Sequence, residues 1–206
     1  PVQRERRGVV ITQPAPGRIF TERQQIDIEV DAPQDTVITL SVNGEEISKG
    51  RVGTLGVDAS NGRIAEVYIA VPLRAGPNQL TATAVTPDGE ELTDSIVVYR
   101  SGSPAVIRID PVTKMITDSV NHLVVQITVT DKDGLPPADG TMITLSLDGS
   151  RIETEDVRPD WVGHQVALIG GRSYVQIASP SEAGVLRLTA AIGDIEVEEH
   201  LVVTSQ

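Results

Sequence analysis

Ile38-Thr39-Leu40-Ser41-Val42-Asn43-Gly44 returns, nearly letter for letter, as Ile143-Thr144-Leu145-Ser146-Leu147-Asp148-Gly149. A threonine stands two residues before each copy (Thr36, Thr141) and an isoleucine three residues after (Ile47, Ile152). The alternation puts Ile38, Leu40 and Val42 on one face of a strand, and Ile143, Leu145 and Leu147 on one face of another. Asn-Gly and Asp-Gly close the runs, because these residues tolerate the positive φ of a tight hairpin turn. Two copies of one β architecture, each arranged around this strand, are expected.

The composition agrees. The chain has 206 residues, enough for two domains that each bury a core. Aromatics are only 2%, so Val, Ile, Leu and Ala must build those cores, while 13 Pro and 18 Gly punctuate many short strands. Apolar residues nowhere keep helical spacing long enough to specify a helix. The net charge is −12, and both halves are acidic. Nucleic acid is therefore not an expected partner, since its binding relies on Lys and Arg displacing counterions. An anionic membrane surface is disfavoured for the same reason, and no apolar run approaches the ~18 residues of a membrane span. With no cysteine, a disulfide framework, a thiolate metal site and a Cys nucleophile are excluded. The chain begins at Pro1 and is read as a segment of a longer or processed protein.

In order, residues 1–7, with Arg4-Glu5-Arg6-Arg7, read as a leader or linker. The first domain is expected over 8–100. Val9-Val10-Ile11 opens it, Pro14 interrupts, and Ile26, Ile28 and Val30 alternate with Asp27, Glu29 and Asp31. The strand at 36–43 follows. Lys49–Gly62, with four glycines, reads as a soft loop, and Val67, Ile69, Val71 and Leu73 are expected to point one way. Leu80, Ala82 and Ala84, then Ile96 and Val98, complete the domain. Residues 101–104, Ser-Gly-Ser-Pro, read as a short linker allowing little inter-domain freedom. The second domain, 105–206, repeats the plan. It has Leu123, Val125, Ile127 and Val129 in one strand, a turn at Asp131-Lys132-Asp133-Gly134, the repeated strand, then a polar stretch over 148–164 holding Trp161. Strands at Val175, Leu186 and Ile195 finish it. About seven strands per half, with a turn every 8–12 residues, predict an all-β chain of two tandem immunoglobulin-like β-sandwiches.

Residues 104–204 resemble the bacterial immunoglobulin-like domains of intimin and invasin type adhesins. The matching residues are Val129-Thr130-Asp131-Lys132-Asp133-Gly134, Ile143-Thr144-Leu145-Ser146, and Ala183-Gly184 before Leu186-Arg187-Leu188-Thr189-Ala190. Residues 8–99 are similar to the immunoglobulin-like accessory modules of envelope proteins and polysaccharide-active enzymes. There the matches are Ile11-Thr12-Gln13-Pro14 with Gly17, Val42-Asn43-Gly44, Val71-Pro72-Leu73-Arg74-Ala75-Gly76-Pro77-Asn78, and Leu80 to Ala84. These are turn and core residues, so they speak to fold more than to function. The resemblance implies a non-catalytic spacer or interaction module of a larger bacterial cell-envelope or secreted protein, at the cell surface, outer membrane or periplasm. Such a module positions neighbouring domains of the same polypeptide and contributes to adhesion by contacting another protein or a glycan. The alternative is a carbohydrate-binding accessory module of a polysaccharide-active enzyme.

The residues offer little chemistry. His122, His164 and His200 are well separated, and neither an H-E-x-x-H helix nor a G-x-S-x-G elbow occurs, so no catalytic residue and no enzyme activity is expected. Asp194, Glu196 and Glu198 read as a solvated strand face that discourages edge-to-edge aggregation. Asp131 and Asp133 resemble the opening of a Ca²⁺ loop, but position 12, which an EF-hand fills with Glu, is Met142. The plain reading is a turn without a cofactor, and Ca²⁺ is the weaker one. Trp161 either closes the open end of the sandwich or stands out as a contact. In the second case Arg158, His164 and Arg172 would join it, with Arg151 nearby, in an otherwise acidic domain. Trp and Arg are the side chains most enriched at binding hot spots. On the first reading Trp161 folds inward and the arginines balance Glu153, Glu155 and Asp156.

Overall fold

The computed structural model describes residues 8–58, 60–117 and 122–205. Arg4-Glu5-Arg6-Arg7 lies outside them. The chain divides between Arg100 and Ser101 into two compact units, each with its own apolar core. The described residues contain no helix beyond a single 3-10 turn at Lys49–Arg51, hence none long and apolar enough to cross a membrane.

Unit 1 contains β1 (Val10–Gln13), β2 (Ile19–Phe20), β3 (Gln25–Pro33), β4 (Val37–Val42), β5 (Glu45–Glu46), β6 (Val52–Asp58), β7 (Arg63–Pro72), β8 (Gly76–Val85) and β9 (Glu91–Arg100). One sheet has the order β1-β3-β7-β6 and the other β2-β9-β8-β4-β5. Pairing is antiparallel except between β2 and β9, which run parallel. Alternation places Ile26, Ile28, Val30 and Ala32 of β3 against Ile38, Leu40 and Val42 of β4, all buried, as the sequence pattern requires. Asn43 and Gly44 both take positive φ (54° and 83°) and close the β4–β5 hairpin. Fully buried Asn78 accepts from Asn43 Nδ2 (3.0 Å) and the Arg74 amide (3.0 Å) and donates to the Arg74 and Gly76 carbonyls. It thereby fastens the 74–76 turn to that hairpin.

Two sequence expectations need correction here. The stretch 49–62 is not a loop throughout: Val52–Asp58 pairs with β7 as an edge strand. Its apolar residues are exposed, so the usual alternation signal is missing. Nor do Val67, Ile69, Val71 and Leu73 share a face. Ala70 takes φ 52°, and the β3–β7 register jumps between Ile26↔Val71 and Ile28↔Tyr68. The bulge reverses the alternation, so that Tyr68 is buried while Ile69 is 44% exposed. Asp27 Oδ1 accepts the Ala70 amide (2.9 Å) and the Arg51 guanidinium donates to the Ala70 carbonyl (2.7 Å), satisfying groups the ladder leaves free. The Tyr68 hydroxyl donates to Glu66 (2.8 Å), which also pairs with Lys49 (2.5 Å). Burial first, then the bond to Glu66, pushes this phenol well above the ordinary tyrosine range.

Unit 2 contains β10 (Val106–Pro111), β11 (Leu123–Thr130), β12 (Met142–Asp148), β13 (His164–Ala167), β14 (Arg172–Ile177), β15 (Gly184–Ile192) and β16 (Ile195–Val203). Its sheets are β10-β11-β14 and β13-β12-β15-β16. The order β9-β8-β4-β5 of unit 1 is thus matched by β16-β15-β12-β13, and β1-β3-β7 by β10-β11-β14. The repeated strand occupies the same place in both, with Leu40 0% and Leu145 1% exposed. A parallel contact also recurs: Ile116 bridges Thr204, with Thr117 N donating to Thr204 O and Thr204 N to Met115 O, both 2.9 Å. Two facing sheets, this strand order and an aliphatic core between them make the fold an all-β immunoglobulin-like sandwich. Beyond Asp148-Gly149 the units diverge. Unit 2 makes no hairpin there; Ile152 crosses to bridge Ile177 of the other sheet.

Candidate functional site

The segment after β12 is built in two sections. Residues 150–154 are strapped along β14: Glu153 N donates to Gln176 O (2.8 Å), Gln176 N to Thr154 Oγ1 (2.7 Å), Ala178 N to Arg151 O (3.0 Å), and Ser150 Oγ to Ala178 O (2.6 Å). Arg151 pairs with Glu153 (2.8 Å), and His122 bonds the same carboxylate. The Arg151 bond foremost, with help from His122, holds the Glu153 carboxyl below the usual range. Arg151 is thus spent on local charge balance.

Residues 155–163 form the projecting section. At its base Asp156 Oδ1 accepts the amides of Arg158 (2.8 Å) and Gln165 (3.2 Å), and Val157 N donates to Gln165 O (3.0 Å). Gln165 is 1% exposed and donates Nε2 to Val162 O (2.8 Å) and Thr144 Oγ1 (3.3 Å). The tip is the turn Arg158-Pro159-Asp160-Trp161, closed by Trp161 N to Arg158 O (2.9 Å). Pro at the second position and Asp at the third suit such a turn. Gly163 returns the chain with φ 85°, and a Cβ there would sit 2.5 Å from Thr144 Cγ2, so glycine is required.

This scaffold sends the tryptophan outward. Trp161 is 51% exposed, Val162 95% and Val157 45%, and the Arg158 guanidinium stacks over the indole at 5.2 Å. The inward reading of Trp161 therefore does not describe the molecule. Turn and base bonds together hold the tip in place. The result is an aromatic and aliphatic knob that carries one stacked guanidinium among the acidic residues Glu155, Asp156 and Asp160.

The structure gathers only some of the expected residues. Arg158 and Trp161 form one unit. His164 begins β13 at the foot of the loop, half-buried, its Nε2 without a hydrogen-bond partner. Arg172 does not join them: it follows the Ile169-Gly170-Gly171 turn beyond the other end of β13 and pairs with Thr128 in the opposite sheet. Spacing along the chain brought it to notice, and the intervening strand carries it away. Sequence reading passed over Val157, Val162 and Gln165, and weighed Asp156 only as a charge beside the arginines. Only Asp156, two residues before Arg158, carried a readable signal, as an Asx turn.

Asp131 is 3% exposed, and its carboxylate accepts three amides, from Asp133 (2.9 Å) and Leu135 (2.8 Å) on Oδ1 and from Gly102 (2.7 Å) on Oδ2. Asp133 lies beside Lys132 (3.5 Å). These oxygens face N–H donors, an arrangement that does not suit a cation. Among the described residues no group of three or more His, Asp or Glu side chains could hold a metal.

No protein-family model matches the sequence, and no curated protein matches it. Similar solved structures include a glycosyl hydrolase family 2 member from Bacteroides cellulosilyticus (16% identity, TM-score 0.46), covering 92% of this chain and 24% of that one. A β-glycosidase from Bacteroides vulgatus has 18% identity and TM-score 0.44, covering 95% and 24%. The D00-D0 domain of intimin has 10% identity and TM-score 0.40, covering 95% and 98%. The chain spans about a quarter of the length of the two glycosidases. Strand order and the two aliphatic cores define the fold.

Proposed function

We propose that the chain is a non-catalytic spacer and contact module of a larger bacterial cell-envelope or secreted protein. Its two sandwiches hold neighbouring domains at a set separation, and the Trp161 knob meets a protein or glycan partner. The observation that carries the spacer role is the clasp at Asp131. Residues 101–104 read as linker, yet the Gly102 amide is bound to the Asp131 carboxylate, and the Ser101 hydroxyl donates to Pro136 O (2.7 Å). Both bonds lie within the second unit and shorten the free stretch at its start, which supports the spacer reading. The measurement is small-angle scattering with inter-domain residual dipolar couplings on the full chain. One narrow distribution of domain orientation is expected; a broad distribution reduces the module to a tether.

The carbohydrate-binding alternative is favoured by one observation, the exposed Trp161 with Arg158 stacked on it. An indole face suits a sugar ring as well as a protein side chain. A glycan array with the parent chain and Trp161→Ala separates the two. Trp161-dependent binding to one glycan class supports the accessory-module reading. Silence on the array, with Trp161-dependent attachment of the parent protein to a protein surface, supports adhesion.

A further inference from the structure

Unit 1 has four sheet edges, and three are blunted. β1 is four residues long and stops at Pro14; β2 and β5 have two residues each, and β5 is Glu45-Glu46. Short length, proline and charge are the usual means of keeping an edge from pairing. β6 is neither short nor interrupted by proline, and its one charge, Asp58, stands at its end. Its seven residues, Val52-Gly53-Thr54-Leu55-Gly56-Val57-Asp58, hold no lysine or proline, and all from Gly53 onward are exposed. One side pairs with β7; the other offers unpaired backbone donors and acceptors. Leu55 and Val57 pair with Glu66 and Ile64 and so lie on the core-facing side, yet they are 58% and 56% exposed.

Two further features point to what covers this edge. Gly53 is explained within the unit, since a Cβ would strike the Ile69 side chain at 1.8 Å. Gly56 is not: a Cβ would meet Ala65 Cβ at an ordinary 3.8 Å, and its φ is not positive. Glycine in a strand often marks the approach of another backbone. The strand also carries opposite charges at its ends. Arg51, just before it, donates to the carbonyls of Ile69 and Ala70, and Asp58, at its end, accepts from Ser60 and Asn61. All of these hydrogen-bond partners are neutral. Two such strands laid antiparallel about Leu55 set each Arg51 beside the Asp58 of the other copy; laid parallel, they set like charges together.

We propose that β6 is a self-association edge, to which a second copy of this chain adds its own β6 antiparallel and so continues the β1-β3-β7-β6 sheet through both copies. This goes beyond the spacer and contact reading and does not use the Trp161 loop.

The test uses the full chain in sedimentation velocity over a concentration series, with amide hydrogen exchange at low and high concentration. A monomer–dimer equilibrium is expected, weakening as salt rises, with amides in 54–57 gaining protection as dimer forms. Leu55→Lys, at an exposed position on the two-fold axis, should abolish the dimer and leave unchanged the melting temperature taken at a concentration where the parent is monomeric. Arg51→Glu should weaken it about tenfold. The proposal is overturned if the chain is monomeric at every concentration, including the case where it captures an added β-strand peptide. It is equally overturned if a dimer forms without protection of 54–57 or survives Leu55→Lys.

Discussion

Asp131→Asn dissects the clasp. In the parent chain one carboxylate oxygen takes the amides of Asp133 and Leu135 and the other takes Gly102. The asparagine carbonyl can keep the first two, which fixes its orientation. Its NH₂ group then faces the Gly102 N–H, donor against donor, and that bond is lost. Bonds to a charged acceptor contribute about 1.5–3 kcal/mol each, so one lost bond and two weakened ones should cost roughly 2 kcal/mol. For a unit of this size that lowers Tm by about 8–16 °C. Asp131→Ala strands all three amides and should cost about 3–5 kcal/mol. The assays are thermal unfolding by circular dichroism and residue-resolved amide exchange. With Asn, Gly102 should exchange much faster while Asp133 and Leu135 stay protected; with Ala, all three should exchange fast. If Asp131→Asn leaves Gly102 protected and Tm unmoved, the Asp131 carboxylate does not hold residues 101–102 to the second unit, and the proposed spacer role loses its support.

Leu40→Ala and Leu145→Ala empty equivalent places in the two cores and should each destabilise their unit by about 2–5 kcal/mol in urea unfolding; small effects at both would contradict the shared register. Trp161→Ala should shift stability by no more than about 1 kcal/mol, and native tryptophan emission should lie to the red, as for an exposed surface side chain; blue emission would mean a buried indole. Tyr68 has a raised folded-state pKa, so its contribution to stability is complete below about pH 10, the unfolded value, and is lost as pH rises above it. A denaturant midpoint followed into alkali should fall over that range, and should fall less in Tyr68→Phe.

The elements of the fold legible in the sequence are those where burial on one face forces alternation. Ile38 to Val42, Ile143 to Leu147 and Ile26 to Val30 could be read because their opposite faces are wetter. Two features hid from that logic for opposite reasons. β6 puts apolar residues into solvent, so no buried face organises its pattern, and its glycines imitate a loop. The bulge at Ala70 inserts one residue, after which a correct alternation points the wrong way; the positive φ of Ala70 and the register jump mark it, and no residue type in the sequence does. At the candidate site, residue types identified Trp161 and Arg158, but sequence distance is a poor guide across a sandwich. Eight residues carry Arg172 from His164 into the other sheet. The outward stance of Trp161 depends on the bonds of Asp156 and Gln165, which form only once β12 and β13 have paired.

The parallel contacts near the ends of each unit bear on what happens when the chain is pulled. In unit 1, Gly17 N donates to Val97 O and Tyr99 N to Arg18 O, both 2.8 Å, alongside the β2–β9 pairing. In unit 2, Thr204 exchanges bonds with Met115 and Thr117. Tension applied at the two termini draws parallel neighbours past one another, so these hydrogen bonds are strained together, in shear. In an antiparallel hairpin opened from its free end they would break singly, each in turn. A chain anchored at one end and stretched at the other thus meets its stiffest resistance at the short early segments, Gly17–Phe20 and Met115–Thr117, rather than at the long ladders that fill most of each sheet.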